Sequence, residues 1–202
     1  MIRLYDFRLS GSCHKVRLLL SMLQRDHQII DVDLLNGDQN QSAFLQVNPL
    51  NKVPVLDDDG FVLRDSTAIM VYLAQKYGAA EWAPTTPKEH GDIQQWLSFS
   101  VNEIFHGLAM ARAIVLFERD TDLAEPLALG RKSLKIMEQH LSDHRWLACD
   151  RPTLADLACY PYIALAYQGG ISMSPYPAVR AWIVRVEALP GYVPMPGLPA
   201  PG

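Results

Sequence analysis

Long apolar runs and a cysteine framework are both missing from this sequence of 202 residues. No apolar run approaches the roughly 20 residues that span a bilayer, and no signal-type apolar segment precedes the first strand-like residues. The cysteines number three and stand far apart without metal-ligand spacing: Cys13, Cys149 and Cys159. We therefore expect a cytoplasmic protein with no membrane partner, no disulfide framework and no metal site.

A large excess of charge of one sign is missing too. The sequence has 18 Lys and Arg against 22 Asp and Glu, a formal net charge of −4, with no long run of either sign. This balance does not favour a nucleic-acid partner. Hydrophobic residues make up 49% of the chain, which is enough to bury a sizeable core in one or two domains.

Residues 1–78 predict a small α/β domain. Short apolar runs indicate strands, and apolar residues spaced three and four apart indicate helices. Asp59 and Gly60 favour a β-hairpin turn. Asp65 or Ser66 is expected to cap the third helix, and Gly78 to end it. The predicted order is β-α-β-α-β-β-α, with strands at 2–5, 28–33, 53–56 and 61–63, and helices at 13–24, 42–47 and 66–77.

From about residue 88 the sequence predicts helices only. Apolar residues between 93 and 115 recur at helical spacing and predict one helix of roughly 30 residues. A second apolar seam extends from 123 to 141. Thr153 to Asp156 is a capping-box pattern at the start of a helix that Pro161 should kink, and Pro177 opens the last helix.

The tail after Leu189 is rich in proline and is expected to be extended or disordered. A linker rich in Gly, Ala, Pro and Thr separates the two parts of the chain. The expected fold class is therefore an α/β domain followed by an all-α domain, with boundaries at 1–78 and 88–202.

The turn between the first strand and the first helix carries the first chemical signal. Ser10, Ser12 and Cys13 lie where helix amides and the positive helix end converge, which would stabilise a thiolate. Redox proteins of this topology have Cys-x-x-Cys at this turn, whereas Ser10 here cannot close a disulfide. Its hydroxyl can donate a hydrogen bond to the sulfur of an external thiol cofactor. The alternative is that both serines are only loop and N-cap residues.

Two further features add to this turn. A cis bond at Val53-Pro54 would expose the Val53 amide and carbonyl for pairing with an extended peptide, although a trans edge-strand proline is commoner. Asp65 and Ser66 offer a carboxylate for an ammonium group, and a hydroxyl with helix amides for a carboxylate, or else are a simple N-cap pair. Together the three features predict a groove for a short peptide that bears a thiol.

Four segments stand in the order and at the separations of a known family. They are Ser-Gly-Ser-Cys-His-Lys-Val-Arg at 10–17, Asn-Pro-Leu-Asn-Lys-Val-Pro-Val-Leu at 48–56, Asp-Ser-Thr-Ala-Ile-Met-Val-Tyr-Leu at 65–73 and Asp-Arg-Pro-Thr-Leu-Ala-Asp at 150–156. Over nearly its whole length the chain thereby resembles the soluble glutathione transferases, and their bacterial members in particular. The resemblance implies a thioredoxin-like βαβαββα domain that binds glutathione as cosubstrate, a helical-bundle domain that binds the second substrate, and a homodimer.

The resemblance also implies catalytic residues. Ser10 matches the position of a catalytic Ser, or of Cys in one bacterial class, that hydrogen-bonds the glutathione sulfur. Relatives often have Asn or Cys where this chain has Ser12, so either serine could point at the sulfur, with Cys13 as a third candidate. His106 matches a His of that bacterial class and is expected to polarise or orient the second substrate, or else to be a structural or surface residue. Asn102 is expected to reach the glutathione of a neighbouring subunit.

The remaining site residues are those that would hold the glutathione peptide. Lys52 is expected to face the glycyl carboxylate, and Gln39 to add a polar contact. The others are Val53 with cis-Pro54, which would pair with the cysteinyl unit, and Asp65 with Ser66, which would hold the γ-glutamyl end.

The expected reaction is attack of the glutathione thiolate on a small apolar electrophile, by substitution or conjugate addition. A first alternative keeps the same site but reduces a disulfide or a peroxide. A second alternative is a non-catalytic binding protein of the same fold, against which the retained Ser10, Lys52, Asp65 and Ser66 argue.

Overall fold

A four-stranded mixed sheet is the framework of the N-terminal part of the chain, in a computed structural model that describes residues 1–198. Its strands are β1 (Ile2–Asp6), β2 (His27–Asp31), β3 (Val55–Asp58) and β4 (Phe61–Arg64), in the spatial order β2-β1-β3-β4. Strand β1 is parallel to β2 and antiparallel to β3, and β3 is antiparallel to β4. This arrangement confirms the predicted fold class of the first domain.

The helices beside this sheet begin at polar side chains that cap them. They are α1 (Gly11–Met22), α2 (Ser42–Val47) and α3 (Ser66–Tyr77). The Ser10 side chain accepts from an amide of the first turn of α1, and the Asp65 side chain accepts from two amides of α3, which satisfies donors that a helix leaves unpaired. Of the two residues expected to cap α3, Asp65 is therefore the cap. A short 3-10 helix, Asp38–Asn40, lies within the predicted loop before α2.

The rest of the described chain is helical up to Glu187. After the short α4 (Ala79–Trp82), which lies within the predicted linker, the helices follow in chain order. They are α5 (Pro87–Phe99), a π-helical segment (Ser100–Ala109), α6 (Met110–Leu116), α7 (Ala124–Asp143), α8 (Leu154–Ala164), a 3-10 helix (Ala166–Gly169) and α9 (Pro177–Glu187). The helices predicted at the second apolar seam and at Pro177 are thus confirmed.

The predicted long helix is continuous over 30 residues, Pro87–Leu116, but its middle third is not an α-helix. Over Ser100–Ala109 the helix is wound as a π-helix, in which an amide bonds the carbonyl five residues earlier, as Met110 does with Phe105. The spacing of apolar residues does not distinguish this winding from an α-helix. By length and composition alone this helix could cross a membrane, yet nearly half of its most apolar stretch is buried in the protein.

The capping box predicted at Thr153 is present. The Thr153 amide donates to Oδ2 of Asp156 (2.9 Å), and the Ala155 amide donates to the Thr153 hydroxyl (3.2 Å). Asp156 is fully buried and also accepts from the Trp182 indole (2.9 Å). Burial raises the pKa of Asp156 to about 6, against the opposing effect of these hydrogen bonds. The box thereby joins the start of α8 to α9.

The described chain forms two compact units. The first consists of Met1–Ala79 and the described part of the tail, residues 190–198, and the second of Ala80–Leu189. The sequence places the tail with the helical domain, whereas here it packs on the first unit with Tyr192 and Met195 buried. Gly191 has a φ of +82° and lies so close to α1 that a Cβ would be 2.9 Å from the Met22 Cα. The last part of the predicted tail, 199–202, lies outside the described residues.

Candidate active site

The sheet register brings four of the predicted segments to one edge. Tyr5 in β1 and Arg64 in β4 both pair with Val55, the first residue of β3, and Asp6 pairs with Asp31 at the end of β2. The turn after β1, the loop after β2, the segment before β3 and the start of α3 after β4 therefore all leave the sheet at the same end. The sequence motifs of the first unit meet at this edge.

Ser10 closes the turn after β1. Its amide donates to the Phe7 carbonyl (2.8 Å), and its hydroxyl oxygen accepts from the Cys13 amide (3.2 Å). Since the oxygen already accepts from the backbone, the hydroxyl can still donate its proton to another acceptor. The half-buried side chain lies at the positive end of α1, where an anion is stabilised. Ser10 is therefore the N-cap of α1, and this role does not by itself exclude a hydrogen bond from its hydroxyl to a ligand.

Cys13 is the third candidate at this turn. It is fully buried, and burial, with a smaller contribution from Asp6, raises the pKa of its thiol to about 12. Hydrogen bonds with the Ser10 side chain and with the backbone of Phe7 lower this pKa but do not compensate for burial. Cys13 therefore packs as a neutral thiol. Ser12, half-buried on the first turn of α1, remains beside Ser10 as a candidate.

The segment before β3 presents an open backbone. The Val53-Pro54 peptide bond is cis, as predicted. Val53 makes no backbone hydrogen bond to any residue in the described range 1–198, so its amide and carbonyl can pair with a ligand. The Lys52 side chain is exposed. The backbone carbonyl of Lys52 accepts a hydrogen bond from the side-chain amide of Asn48 (2.6 Å).

Asn48 is a structural residue of the site that sequence reasoning missed. It is 2% exposed, and its Oδ1 accepts from the Leu50 amide (3.1 Å) while its Nδ2 holds the Lys52 carbonyl. The buried amide thus fixes the turn from which Val53 projects. The signal available in the sequence was an Asn immediately before Pro49, a pair that favours turns.

Asp65 caps α3 with one carboxylate oxygen. Its Oδ1 accepts from the Thr67 amide (2.9 Å), the Thr67 hydroxyl (2.6 Å) and the Ala68 amide (3.0 Å). Within residues 1–198, Oδ2 has no hydrogen-bond or ion-pair partner. Asp65 also has a φ of +73°, a conformation that residues other than glycine adopt rarely and mostly at functional sites. Ser66 beside it is buried.

Gln39 lies half-buried in the 3-10 helix after β2. Its side-chain nitrogen is 3.5 Å from the Leu34 carbonyl, and its side-chain oxygen is buried without a hydrogen-bond partner in the described chain. The same helix is tied to the segment before β3, because Asn51 donates to Asn40 (2.9 Å). A polar contact from Gln39 to a ligand is compatible with this placement.

The two candidates in the helical unit lie together on the π-helical segment. Asn102 and His106 are both exposed, and the His106 ring stands perpendicular to that of Phe105 with centroids 5.5 Å apart. They do not belong to the first unit, in which the sheet register brings the other motifs together. Among residues 1–198 no group of three or more His, Cys, Asp or Glu side chains could hold a metal ion.

Comparison with known proteins agrees with this geometry. Residues 4–84 match the family described as "Glutathione S-transferase, N-terminal domain", and residues 101–190 match "Glutathione S-transferase, C-terminal domain". The chain is 32% identical to Glutathione S-transferase 1 of Manduca sexta, covering 95% of this chain and 90% of that protein. It is 30% identical to the Disulfide-bond oxidoreductase YfcG of Escherichia coli, covering 94% and 92%. A glutathione S-transferase crystal structure from Pseudomonas fluorescens superposes with a TM-score of 0.91 at 34% identity, covering 96% and 98%.

Proposed function

Since the chain belongs to the glutathione S-transferase family and uses glutathione as its cosubstrate, we propose that Ser10 is the residue that activates the glutathione thiol. The observation that carries this assignment is the position of the Ser10 hydroxyl, whose oxygen accepts from the Cys13 amide and whose proton would be donated to the glutathione sulfur. A sulfur placed there would also meet the positive end of α1.

The two effects are large enough for activation without a formal base. A free thiol has a pKa of about 8.5, so only a few per cent is thiolate at pH 7. Lowering it by one to two units corresponds to roughly 1.4 to 2.8 kcal/mol. The end of a helix and one hydroxyl hydrogen bond each supply about 1 kcal/mol. The thiolate then forms a carbon–sulfur bond with a small apolar electrophile, by displacing a leaving group or by conjugate addition, which is a detoxifying conjugation.

The groups at the edge of the sheet suit the peptide of glutathione. The open Val53 backbone beside Pro54 would pair with the cysteinyl unit, and the exposed Lys52 ammonium would attract the glycyl carboxylate. Oδ2 of Asp65 would accept from the γ-glutamyl ammonium. The Ser66 amide and hydroxyl, at the N-terminus of α3, would bind the carboxylate of the γ-glutamyl unit. Gln39 would add an amide contact.

We assign functional roles to His106 and Asn102 in the helical unit, Ala80–Leu189. His106 would orient the second substrate by hydrogen bonding, and Asn102 would contact glutathione held by the neighbouring subunit. Their exposed side chains on a π-helical segment support both assignments, because π-helical turns are frequent at functional sites.

The protein is proposed to act as a cytoplasmic homodimer. Large apolar side chains are exposed on the first unit, with Phe61 at 50%, Val62 at 46% and Val71 at 37%. A second copy would cover this surface on β4 and α3. Sedimentation should find twice the mass of the 22.6 kDa chain at micromolar concentration, and a species of the single-chain mass would refute the dimer.

One relative favours a second reaction at the same site, because it bears the name of a disulfide-bond oxidoreductase and is 30% identical. In that reaction the thiolate attacks a disulfide sulfur and displaces one thiolate. A second glutathione then resolves the mixed disulfide to glutathione disulfide and a thiol.

The deciding experiment compares an aryl halide with a glutathione-capped disulfide as substrates of protein retained on glutathione resin. Conjugation lost in Ser10→Ala supports the proposed transferase reaction. Turnover of the disulfide alone would instead favour the reductase, and conjugation that is unchanged in Ser10→Ala would refute the role of Ser10.

A further inference from the structure

The Arg17 side chain, in the 10–17 motif, returns from α1 to the end of β1. Its Nη1 bonds Oδ1 of Asp6, the last residue of β1. Its Nη2 donates to the carbonyl of Arg8 (3.2 Å), which lies inside the turn that Ser10 closes. A single guanidinium therefore joins the helix, the end of the strand and the turn.

This ion pair is largely removed from solvent. The Asp6 side chain is 5% exposed and the Arg17 side chain 17% exposed. A buried carboxylate needs a partner in good geometry, since unpaired it would be strongly destabilising. The planar guanidinium has donors that can reach a carboxylate and a carbonyl together, which a lysine ammonium on a flexible stem does less well.

A second arginine–aspartate pair in the same unit provides a comparison. Arg3 in β1 bonds Asp57 in β3, with the aspartate 8% exposed and the arginine 47% exposed. This pair joins two strands and has no contact with the turn. The two pairs therefore differ in the exposure of the arginine and in the contact of Arg17 with the Arg8 carbonyl.

We propose that Arg17 is a positioning residue for the transferase reaction, which holds the Phe7–Ser10 turn so that the Ser10 hydroxyl meets the glutathione sulfur. The inference rests on the proposed function of Ser10. The turn is closed by the Ser10 amide on the Phe7 carbonyl (2.8 Å), so a displacement of Arg8 changes the direction of the Ser10 side chain. Arg17 acts through Ser10 and does not itself touch the sulfur.

The test is a double-mutant cycle read by the ultraviolet absorbance of the bound thiolate during a pH titration. Arg17→Met should raise the thiol pKa by about half a unit to one unit and lower kcat about three- to tenfold, because one unit is a factor of ten. The KM for glutathione should stay within about twofold, since other residues hold the peptide. In the Ser10→Ala background, Arg17→Met should add little.

Two further variants keep the inference testable if Arg17→Met folds poorly. Arg17→Lys preserves the charge beside Asp6 but loses the contact with the Arg8 carbonyl, so it should raise the thiol pKa by an intermediate amount. Arg3→Met removes the comparison pair and should leave the thiol pKa at the wild-type value.

The outcomes separate this inference from the proposed function. Ser10→Ala with a wild-type thiol pKa would refute the role of Ser10 and the inference with it. A shift in Ser10→Ala but none in Arg17→Met or Arg17→Lys would overturn the inference alone. The inference would also be overturned if Arg17→Met shifted the thiol pKa equally in the wild-type and Ser10→Ala backgrounds. Such a shift would be a through-space effect of charge that does not act through Ser10.

Discussion

Replacing Ser10 by alanine removes one oxygen that has two roles. It deletes the acceptor of the Cys13 amide (3.2 Å) at the N-terminus of α1, and it deletes the proposed donor to the glutathione sulfur. The first loss affects the stability of the fold, and the second affects the charge state of the bound thiol. The two losses can be measured separately.

The magnitudes follow from the two hydrogen bonds. Loss of a serine N-cap costs about 1 kcal/mol of stability. Loss of a donor to the thiolate should raise the thiol pKa by roughly one unit, because one unit is 1.36 kcal/mol. Turnover near neutral pH should then fall about tenfold with the thiolate fraction. Glutathione binding should change little, since the ends of the peptide are held by other residues.

The assay is the thiolate absorbance of the glutathione complex, titrated for the wild type, Ser10→Ala, Ser12→Ala and Cys13→Ala. Thr86→Ala is the matched control for the cap, because the Thr86 hydroxyl accepts from the Glu89 amide at the same 3.2 Å, at the start of α5. Thr86→Ala should lower the melting temperature without moving the thiol pKa.

Two results would refute the reasoning. A shift of the thiol pKa in Ser12→Ala alone would transfer the catalytic role to the first turn of α1. A shift in none of the variants would mean that the backbone amides and the helix end activate the thiol without a side chain.

Three other changes have defined outcomes. Asp65→Asn keeps the Oδ1 cap but removes the charge, so the glutathione affinity measured by calorimetry should fall about three- to tenfold, with an unchanged melting temperature. An unchanged affinity would mean that Asp65 is only a helix cap. Burial, and to a lesser extent the charge of His144, lower the pKa of His140. The stabilisation that neutral His140 gives to the fold should therefore be present above a pH of about 6.5 and be lost as the pH falls below that value. Melting curves of the wild type and His140→Gln should therefore diverge less at pH 5 than at pH 7.5 (about 1.5 units below and about 1 unit above the ordinary value), and a constant difference would contradict the shift. Gly107→Ala should lower the free energy of unfolding in urea by about 1–3 kcal/mol, because the new Cβ would lie 2.5 Å from the Gly130 amide nitrogen. The control Gly91→Ala, whose Cβ would meet nothing within 4 Å, should stabilise the helix. Equal effects of the two changes would refute the packing argument.

Much of the fold was readable because its signals are local. The capping of α1 by Ser10, the Thr153 box and the proline that opens α9 each depend on residues within one helical turn. The strands followed from short apolar runs for the same reason. A family resemblance in four segments then indicated the site residues that the separate motifs left ambiguous.

What the sequence by itself determined, therefore, was the order of the elements, the caps and the motifs at the sheet edge. The tertiary structure alone decided that the tail packs on the first unit and that Arg17 reaches back to the turn of Ser10. It also decided the π-helical winding of Ser100–Ala109. The reason is that burial, close approach and hydrogen-bond register depend on residues from separate elements, whose proximity no local pattern encodes.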